Sequence, residues 1–420
     1  MRVMILTDRY APEARAAAYL CRELAEGLVK LGHDVAVLTR MPTHFVPGSG
    51  VDAPKSAEIV AGVNVKRVSA ATASSRIWLR ALDQLVVSFK ITLALWTAPK
   101  ADVLLVYSPP LVLTLAAVFQ KWIRRWPYVL NLHDLYPQTA IDLGVLRNPM
   151  LIWLAKALES LVYRNADRIV VAAPASKDIL IAKNGIDKPR IETIFNYIDT
   201  TACTPGPVEN AFRVRNGIQS RFVVLYAGLM GLAQDLSSMV EVAKHMKYDQ
   251  SWVFILAGDG PCASKWADMT KGLSNVKMVG SLSYGEYYEA LQAADVCLVF
   301  LSGAFAAPAV PGKISAIMAA GRPIIASVPN QNDTCGILDA AKCGIVVAPN
   351  RPEELLTALK ALYDRPDLRG ELGANGARHA ASHFEAKVAI KKFELILSEA
   401  CFGSYQERLV DETRNHPGIG

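Results

Sequence analysis

The stretch Phe222-Val-Val-Leu-Tyr-Ala-Gly228-Leu-Met-Gly231 decides how the second half of this sequence folds. A β-prone apolar run ends in glycine, and Trp252-Val-Phe-Ile-Leu-Ala-Gly258-Asp-Gly260 repeats the pattern. Continuous apolar runs separated by helical segments are typical of strands that are buried on both faces of a parallel sheet. Further short runs extend the series at Val276–Val279, Val296–Phe300, Pro323–Ala326 and Gly344–Val347.

The first half begins with an equivalent series. Met1–Thr7 is an apolar run, Ala16–Leu31 has apolar residues at helical spacing, and Val35–Thr39 is the next β-prone run. A strand, a helix and a second strand form the unit that starts a parallel sheet. Further strands are predicted at Val63–Val68, Val103–Tyr107, Tyr128–Leu132 and Arg168–Ala172.

The two series predict an α/β chain with two Rossmann-like parallel-sheet domains that face a central cleft. We place the first domain at residues 1–200, a polar linker at 201–215 and the second domain at 216–380. Residues 381–420 would form a C-terminal helix that returns to the first domain, with a frayed tail after Phe402. Because ligands bind at the carboxyl ends of the strands in such sheets, the loops after the strands are the candidate sites.

Composition restricts the possible functions. The sequence of 420 residues is 52% hydrophobic and 20% charged, which fits two globular domains. A net charge of +6 favours an anionic ligand or an anionic membrane surface, but it is too small to indicate a nucleic-acid-binding protein. The seven scattered cysteines form neither a disulfide framework nor a metal-binding pair, so we expect a cytoplasmic protein. The longest apolar run, Val103–Phe119, is broken by Ser108-Pro109-Pro110, and no membrane-spanning segment is predicted.

Glycine loops and one lysine are the candidate phosphate site of the second domain. Lys313 begins a predicted helix behind a Pro-Gly pair, where its ammonium would add to the positive end of that helix. No Gly-x-Gly-x-x-Gly follows the first strand, which argues against a nicotinamide or flavin enzyme. Ordinary turns and a solvated surface lysine are the alternatives. Four glycines follow predicted strands and would let the backbone approach a ligand: Gly228, Gly231, Gly258 and Gly260.

His133 and Asp134 are the candidate catalytic pair of the first domain. They follow a predicted strand, where a histidine and a carboxylate can act on a hydroxyl proton or position a sugar. A structural role for the pair is the alternative. The sequence has no Asp-x-Asp string and no metal-ligand spacing, so no metal is expected.

Two segments mix aromatic, aliphatic and basic residues, namely Arg76–Lys90 and Lys121–Trp126. Such a face suits insertion at an anionic membrane surface. The mean hydropathy of +0.22, which is high for a globular protein, favours this interpretation. A pair of buried helices with basic ends is the alternative.

Taken in order, a set of short motifs resembles the family-4 glycosyltransferases of the GT-B fold, in particular the L-fucosamine transferase-like proteins of bacterial surface-polysaccharide synthesis. The resemblance extends to about residue 395. The motifs are Tyr10-Ala-Pro-Glu13, Arg22-Glu-Leu-Ala-Glu-Gly-Leu, Gly32-His-Asp-Val, Met41-Pro-Thr-His, Ser108-Pro-Pro-Leu, His133-Asp-Leu-Tyr-Pro, Asn165-Ala-Asp-Arg-Ile-Val-Val, Asn196-Tyr-Ile-Asp199, Tyr226-Ala-Gly-Leu-Met-Gly, Gly258-Asp-Gly, Pro311-Gly-Lys and Met318-Ala-Ala-Gly-Arg-Pro.

The resemblance implies a retaining transfer of a sugar from a nucleotide donor, usually UDP-linked, without a metal or a nicotinamide cofactor. The acceptor would be a lipid-linked or growing saccharide at the inner face of the cytoplasmic membrane, for an exopolysaccharide, a capsule or an O-antigen. Lys313 would hold the donor diphosphate, with the four glycines close to it, and Asp333 would contact the ribose or the sugar. His133 and Asp134 would lie beside the reacting sugar. The first loop would contact the acceptor through Tyr10, Glu13 and Arg15.

The sequence also departs from the family pattern. Ala316 replaces a glutamate that contacts ribose, and Pro308 with Ala316 replaces the glutamate pair spaced eight residues apart. Gln138 replaces an acidic residue, and Arg15 replaces a glycine. Two alternatives therefore remain: a nucleotide-sugar epimerase of the same fold, and a catalytically inactive subunit that binds nucleotide sugars.

Overall fold

The computed structural model describes residues 1–13, 16–42, 54–69, 77–305 and 308–415. The chain forms two compact units. The first comprises Met1–Pro137, Leu146–Phe195 and Lys387–Gly420, and the second comprises Gln138–Val145 and Asn196–Ala386. Each unit is built on its own sheet, which is described separately below. The predicted cleft between two domains stays a prediction.

The first unit contains an eight-stranded sheet in the order β3-β4-β2-β1-β5-β6-β7-β8. All pairs are parallel except β3 with β4, which is antiparallel. The central strands β1, β5 and β6 are almost entirely buried, as expected for strands covered on both faces. The strands are β1 (Arg2–Leu6), β2 (Asp34–Arg40), β3 (Ala57–Val60), β4 (Val63–Val68), β5 (Val103–Ser108), β6 (Tyr128–Leu132), β7 (Arg168–Val171) and β8 (Ile191–Thr193).

The helices of the first half cover this sheet, and a core of aliphatic and aromatic residues lies between α2, α3, α5 and the strands. The helices are α1 (Ala16–Lys30), α2 (Ile77–Trp96), α3 (Thr114–Arg124), α4 (Gln138–Asp142), α5 (Pro149–Asn165) and α6 (Pro174–Ala182). The short helix α4 is grouped with the second unit. Single 3-10 turns occur at Leu111–Leu113 and Lys188–Arg190.

The second unit contains a six-stranded, fully parallel sheet in the order β11-β10-β9-β12-β13-β14. Its strands are β9 (Phe222–Ala227), β10 (Trp252–Ala257), β11 (Val276–Val279), β12 (Val296–Phe300), β13 (Ile324–Ser327) and β14 (Gly344–Val347). The helices of the second half are α7 (Ala211–Asn216), α8 (Ser237–His245), α9 (Ala263–Thr270), α10 (Tyr284–Ala293), α11 (Lys313–Ala319), α12 (Asp333–Ala341), α13 (Pro352–Asp364), α14 (Pro366–His383) and α15 (Ala386–Asn415).

Both sheets have a point at which the strand order reverses. In the first sheet β1 pairs with β2 on one side and with β5 on the other. In the second sheet β9 pairs with β10 and with β12. In open α/β sheets, ligands bind outside the carboxyl ends of the strands at such a point. The loops after β1, β5, β9 and β12 are therefore the first places to look for a site.

The strand series predicted from apolar runs is confirmed in both halves. The longest apolar run of the sequence, Val103–Phe119, is divided into β5, a 3-10 turn and the start of α3, as its proline pair indicates. Two strands were missed, β3 and β8. Both lie at sheet edges and are short, and β3 alternates between exposed and half-buried residues, so neither has a long apolar run.

Part of the predicted linker is packed into the second unit. The guanidinium of Arg213 in α7 is buried, and it donates to the carbonyl of Ala293 at 2.8 Å and to Asp295 Oδ2 at 2.7 Å. Arg213 thus makes the end of the predicted linker part of the packed second unit, whereas Thr201 and Thr204 are exposed. At the other end of the chain, α15 contacts the first unit through Glu394, whose Oε1 lies 2.9 Å from His33 Nε2.

The backbone of α15 remains helical through Asn415, beyond the predicted start of the frayed tail at Phe402. The last five residues, 416–420, lie outside the described part of the chain. Among the described residues, no helix is both long and apolar enough to cross a membrane.

The Arg213–Asp295 pair gives a test of how the second unit is held together. Asp295 Oδ2 accepts from Arg213 and, at 2.8 Å, from the backbone amide of Val223 in β9. Without Asp295, the buried Arg213 would keep only the exposed Glu209 as an ion-pair partner, at 2.9 Å, and a buried charge that loses its buried partner is strongly destabilising. We expect Asp295→Ala to lower the free energy of unfolding of the second unit by about 3–5 kcal/mol in urea titrations.

The matched control is Glu241→Ala, because Glu241 pairs with Lys244 at 2.8 Å on the surface of α8. That exposed pair should contribute less than about 1 kcal/mol. Equal effects of the two substitutions would contradict a structural role for the buried pair.

Candidate functional site

The loops after β9 and β10 are joined to each other by backbone packing. The amide of Gly228 donates to the carbonyl of Ala257 at 2.9 Å. Gly258 and Gly260 have φ values of +131° and +154°, which only glycine adopts without strain. A Cβ at these positions would lie 2.0 Å from the carbonyl oxygen of Gly228 and 2.4 Å from that of Met230. These glycines therefore allow the two loops to contact each other, and their approach to a ligand stays a prediction.

The backbone amide of Gly231 is bonded to a side chain of its own loop. Its amide donates to Gln234 Oε1 at 3.1 Å, and the following helix, α8, begins only at Ser237. The Ser237 amide in turn donates to Asp235 Oδ1 at 3.0 Å. Side chains of the loop therefore already accept from both amides, and the approach of Gly231 to a ligand stays a prediction.

Lys313 is the first residue of α11, as predicted, but it is not a solvated surface lysine. Its Nζ atom is buried and lies 3.8 Å from the centroid of the Tyr226 ring. Within the described residues the ammonium has no hydrogen-bond partner. Gly228 makes room for it, since a Cβ at that position would lie 3.0 Å from Nζ. The structure thus brings Lys313 to the glycine loops, at the carboxyl end of β9.

Burial lowers the pKa of Lys313 to about 7, and a nearby thiol, Cys297, opposes this shift slightly. The lowered pKa follows from the loss of hydration around an ammonium that no protein oxygen replaces. An aromatic face offers such a cation some compensation. The Tyr226 hydroxyl also donates to the carbonyl of Leu229 at 2.6 Å, so the ring that lies against Lys313 is fixed to the glycine loop. This arrangement is suited to an anionic ligand, which would supply the missing acceptors.

The two other residues singled out in this half lie near the same edge of the sheet. Ala316 is one turn after Lys313 on α11 and is buried, and its carbonyl accepts from Cys203 Sγ at 3.5 Å. Asp333 is the first residue of α12, after β13, where the helix dipole favours its negative charge. Asp333 therefore has a structural explanation, and its contact with a ribose or a sugar stays a prediction.

In the first unit, His133 and Asp134 follow β6 at the carboxyl edge of the sheet, beside the end of β5. The His133 amide donates to the carbonyl of Ser108 at 3.0 Å, which joins the two strand ends. The imidazole stacks on the ring of Tyr107, with centroids 5.5 Å apart and planes inclined by 23°. Asn131 Nδ2 lies 3.4 Å from His133 Nε2. The ring is therefore held by neighbours on both strands.

Asp134 lies in a desolvated environment, and burial raises the pKa of its carboxyl group. A buried carboxylate with a raised pKa can hold or exchange a proton closer to neutral pH than an exposed one can. The pair therefore has the properties of a proton-transfer or hydrogen-bonding site, which fits the prediction made for it. No observation on this chain tests its catalytic role.

The residues assigned to the acceptor are largely structural in this conformation. The side chains of Tyr10 and Glu13 are 3% and 1% exposed, and Glu13 forms an ion pair with Arg9. Burial also raises the pKa of Tyr10 far above that of a free phenol. Both side chains shape the loop after β1 rather than offer it a polar surface. Arg15 lies outside the described residues.

A buried charge network supports this loop and was missed in the sequence. Arg40, at the end of β2, lies 2.7 Å from Asp83 of α2 and 3.6 Å from Asp8. The available signal was a charged residue directly after each of two neighbouring buried strands. Sequence patterns cannot show that such residues pair, because the contact depends on strand order.

Three further residues escaped the sequence analysis: Tyr226, Tyr107 and Asn131. Each lies in the last part of a buried strand, and each contacts a predicted site residue. A polar or aromatic residue near the carboxyl end of a buried strand was the signal that could have found them. Among the described residues, no group of three or more His, Cys, Asp or Glu side chains could hold a metal ion.

Two family models match the chain, one in each half. Residues 16–196 match the family model of the glycosyl transferase 4-like domain, and residues 221–365 match that of glycosyl transferases group 1. The probable glycosyltransferase WbjE of Pseudomonas aeruginosa is 26% identical over 325 residues, covering 76% of this chain and 80% of WbjE. The putative colanic acid biosynthesis glycosyl transferase WcaI of Escherichia coli is 22% identical over 334 residues, covering 76% of this chain and 82% of WcaI.

Among solved structures, Anabaena HepE in complex with UDP-glucose is similar over 95% of this chain and 100% of its own, with a TM-score of 0.70 and 17% identity. Two parallel-sheet α/β units of this kind define the GT-B class of proteins. Together with the two matched domains, they show that the chain is a glycosyltransferase. The narrower L-fucosamine transferase-like group is not established by these relatives.

Lys313 gives a test of the site that needs no ligand. Its pKa is lowered to about 7 in the folded chain, whereas an unfolded chain holds the proton up to about pH 10.4. The unfolded chain therefore binds more protons between these values, and stability rises with pH across that window. The destabilising effect is fully present below about pH 7 and disappears near pH 10.

We therefore expect Lys313→Met to gain stability over the wild type by about 2–4 kcal/mol more at about pH 6.5 than at about pH 10. Chemical unfolding at the two pH values measures this difference. Lys360→Met, on the exposed face of α13, is the control and should show no such dependence. A stability difference for Lys313→Met that does not change with pH would contradict the burial of a charged ammonium.

Proposed function

We propose that this glycosyltransferase moves a sugar, with retention of configuration, from a UDP-type nucleotide sugar to a lipid-linked or growing saccharide. The product would belong to a bacterial exopolysaccharide, capsule or O-antigen. The enzyme would act at the inner face of the cytoplasmic membrane, where such acceptors are assembled. We further propose that no metal or other cofactor takes part.

One observation carries the donor part of this proposal. The Lys313 ammonium is buried beside Gly228, and the described residues give it no hydrogen-bond partner. An uncompensated buried cation is destabilising, so its place at the reversal point of the sheet is best explained by a ligand that supplies negative charge. A nucleoside diphosphate provides several anionic oxygens in a compact group.

Two relatives support the more specific parts. The solved structure of HepE is a complex with UDP-glucose, which favours UDP as the nucleotide. The name of WcaI refers to colanic acid biosynthesis, which favours a surface polysaccharide as the product. The donor sugar itself depends on side chains that these likenesses do not fix.

The chemistry follows from charge. When the bond between the sugar C1 and the diphosphate oxygen breaks, negative charge grows on the leaving UDP, and a preorganised cation stabilises it. Lys313 would supply that charge. The acceptor hydroxyl forms the new bond to C1 and loses its proton, and His133 with Asp134 would bind the reacting groups or accept that proton.

If no metal takes part, transfer should persist in EDTA. If configuration is retained, NMR of the product should show the donor's anomeric configuration.

The donor assignment predicts the effect of removing the lysine charge. Lys313→Met should weaken binding of UDP-glucose at least about tenfold, since a charge-assisted contact with phosphate is lost. Isothermal titration calorimetry measures the affinity, with Lys360→Met as the control. Wild-type affinity should also fall as pH rises from about 7 to about 9, because the free lysine then loses the proton that binding requires.

In the Lys313→Met variant the affinity should no longer fall over this pH range. Unchanged affinity for UDP-glucose in the variant would remove Lys313 from the donor site.

The catalytic assignment predicts a loss of rate without a loss of donor binding. Asp134→Asn keeps the size of the side chain but cannot exchange a proton, so we expect transfer to fall by about 100-fold or more. The release of UDP from UDP-glucose, with lipid-linked saccharides as acceptor, measures the rate. Donor affinity should stay within about threefold of the wild type.

Asp178→Asn, at an exposed position of α6 in the same unit, is the matched control. Full activity of Asp134→Asn would show that the carboxyl group is structural.

A further inference from the structure

The first unit exposes a stripe of large apolar side chains along α2. Leu82, Leu85, Phe89, Leu93 and Trp96 recur at helical spacing, and each is more than half exposed. Val87, Ile91 and Leu95 on the opposite side of the helix are fully buried in the core. A helix that is apolar on both sides is usually covered on both sides. Among the described residues, packing covers only one side of α2.

The stripe continues onto α3. Phe119, Trp122 and Ile123 lie on one face of α3, and each is about half exposed. The guanidinium of Arg124 lies 5.4 Å from the centroid of the Trp96 ring, which joins the ends of the two helices. Trp126, which the sequence pattern also assigned to this surface, is buried in the core instead. Arg76 lies outside the described residues.

The third part of the surface is on α5 and was not predicted. Met150, Trp153 and Leu154 lie on one side of its first turns, and the Trp153 side chain is 69% exposed. At the other end of the helix, Asn165 Oδ1 accepts from Trp122 Nε1 at 3.0 Å. This bond ties the C-terminal end of α5 to the exposed face of α3. We call the exposed apolar sides of α2, α3 and α5 the three-helix face.

Basic residues outnumber acidic ones on the helices of the three-helix face. The three helices carry six basic residues and two acidic ones. Of the two acids, Asp83 is buried against Arg40. The other, Glu159, is largely buried, and burial raises its pKa to about 7. Lys121 pairs with Asp167 at 2.8 Å, and the other basic residues of the three helices leave the face with a net positive charge.

We propose that the three-helix face is the surface by which the first unit docks on an anionic lipid bilayer. Apolar side chains with tryptophans among them suit the boundary between headgroups and acyl chains, and flanking basic residues suit anionic headgroups. A second copy of the chain is a poorer occupant, because the two basic surfaces would repel each other. The proposal rests on the proposed function in that a lipid-linked acceptor requires the enzyme at a membrane.

Vesicle flotation of the full chain tests the proposal directly. Wild-type protein should float with vesicles of phosphatidylcholine and phosphatidylglycerol, and much less with phosphatidylcholine alone. The double substitution Phe89→Ser and Trp153→Ser should reduce the bound fraction at least about tenfold, because it removes the most exposed aromatic side chains that the structure describes on α2 and α5. Tyr248→Ser is the control, since Tyr248 is equally large, is 83% exposed and lies in the second unit.

Two further measurements separate the possible results. Calorimetry with UDP-glucose should give the same affinity for wild type and double variant, so a failure to bind UDP-glucose counts against the proposed function and not against this surface. Light scattering reports the oligomeric state. A dimer that dissociates on the double substitution, with no vesicle binding by the wild type, would overturn the proposal, as would equal flotation of wild type and double variant.

Discussion

The second unit depends on how the chain accommodates one buried ammonium group. Lys313 Nζ lies against the ring of Tyr226 and beside Gly228, where any larger residue would collide with it. The glycine loops after β9 and β10 pack closely against each other beside this position, and their conformation requires glycine at 258 and 260. Burying an ammonium without a counterion lowers the stability of the fold. An anionic ligand would offset this cost, so we attribute the buried lysine to ligand binding and not to folding.

In the first unit, the buried charges around the loop after β1 are paired with one another. Asp8, Arg40 and Asp83 compensate one another under the loop after β1, and Glu13 pairs with Arg9. Such pairs specify a loop conformation at little net gain in stability. The exception is Asp134, whose carboxyl group has a raised pKa because it is desolvated. Lys313 in the second unit and Asp134 in the first thus share a property, since desolvation moves the pKa of each towards neutral pH.

The three-helix face shows that the high hydropathy of the sequence has two sources. Much of it is in the buried strands, which are apolar on both faces because helices cover the sheet on both sides. The remainder is exposed on α2, α3 and α5, where large apolar side chains are surrounded by lysine and arginine. The basic segments at the ends of α2 and α3 were visible in the sequence. The contribution of α5 was not, because its apolar residues have the spacing of an ordinary core helix.

The sequence by itself determined the strand series, the two sheets and the start of α11 at Lys313, because continuous apolar runs and glycine or proline punctuation are local signals. It could not determine which strand ends are neighbours, and so it could not show that Tyr226 lies under Lys313 or that Asn131 and Tyr107 hold His133. It wrongly assigned Trp126 to an exposed surface, because it could not show that this side chain is buried in the core. It also could not show that the Gly231 amide has an acceptor or that Tyr10 and Glu13 are buried, and their contacts with ligands stay predictions. Tertiary structure decided these points, because hydrogen-bond partners and burial depend on distances between segments, which the spacing of residues along a chain does not encode.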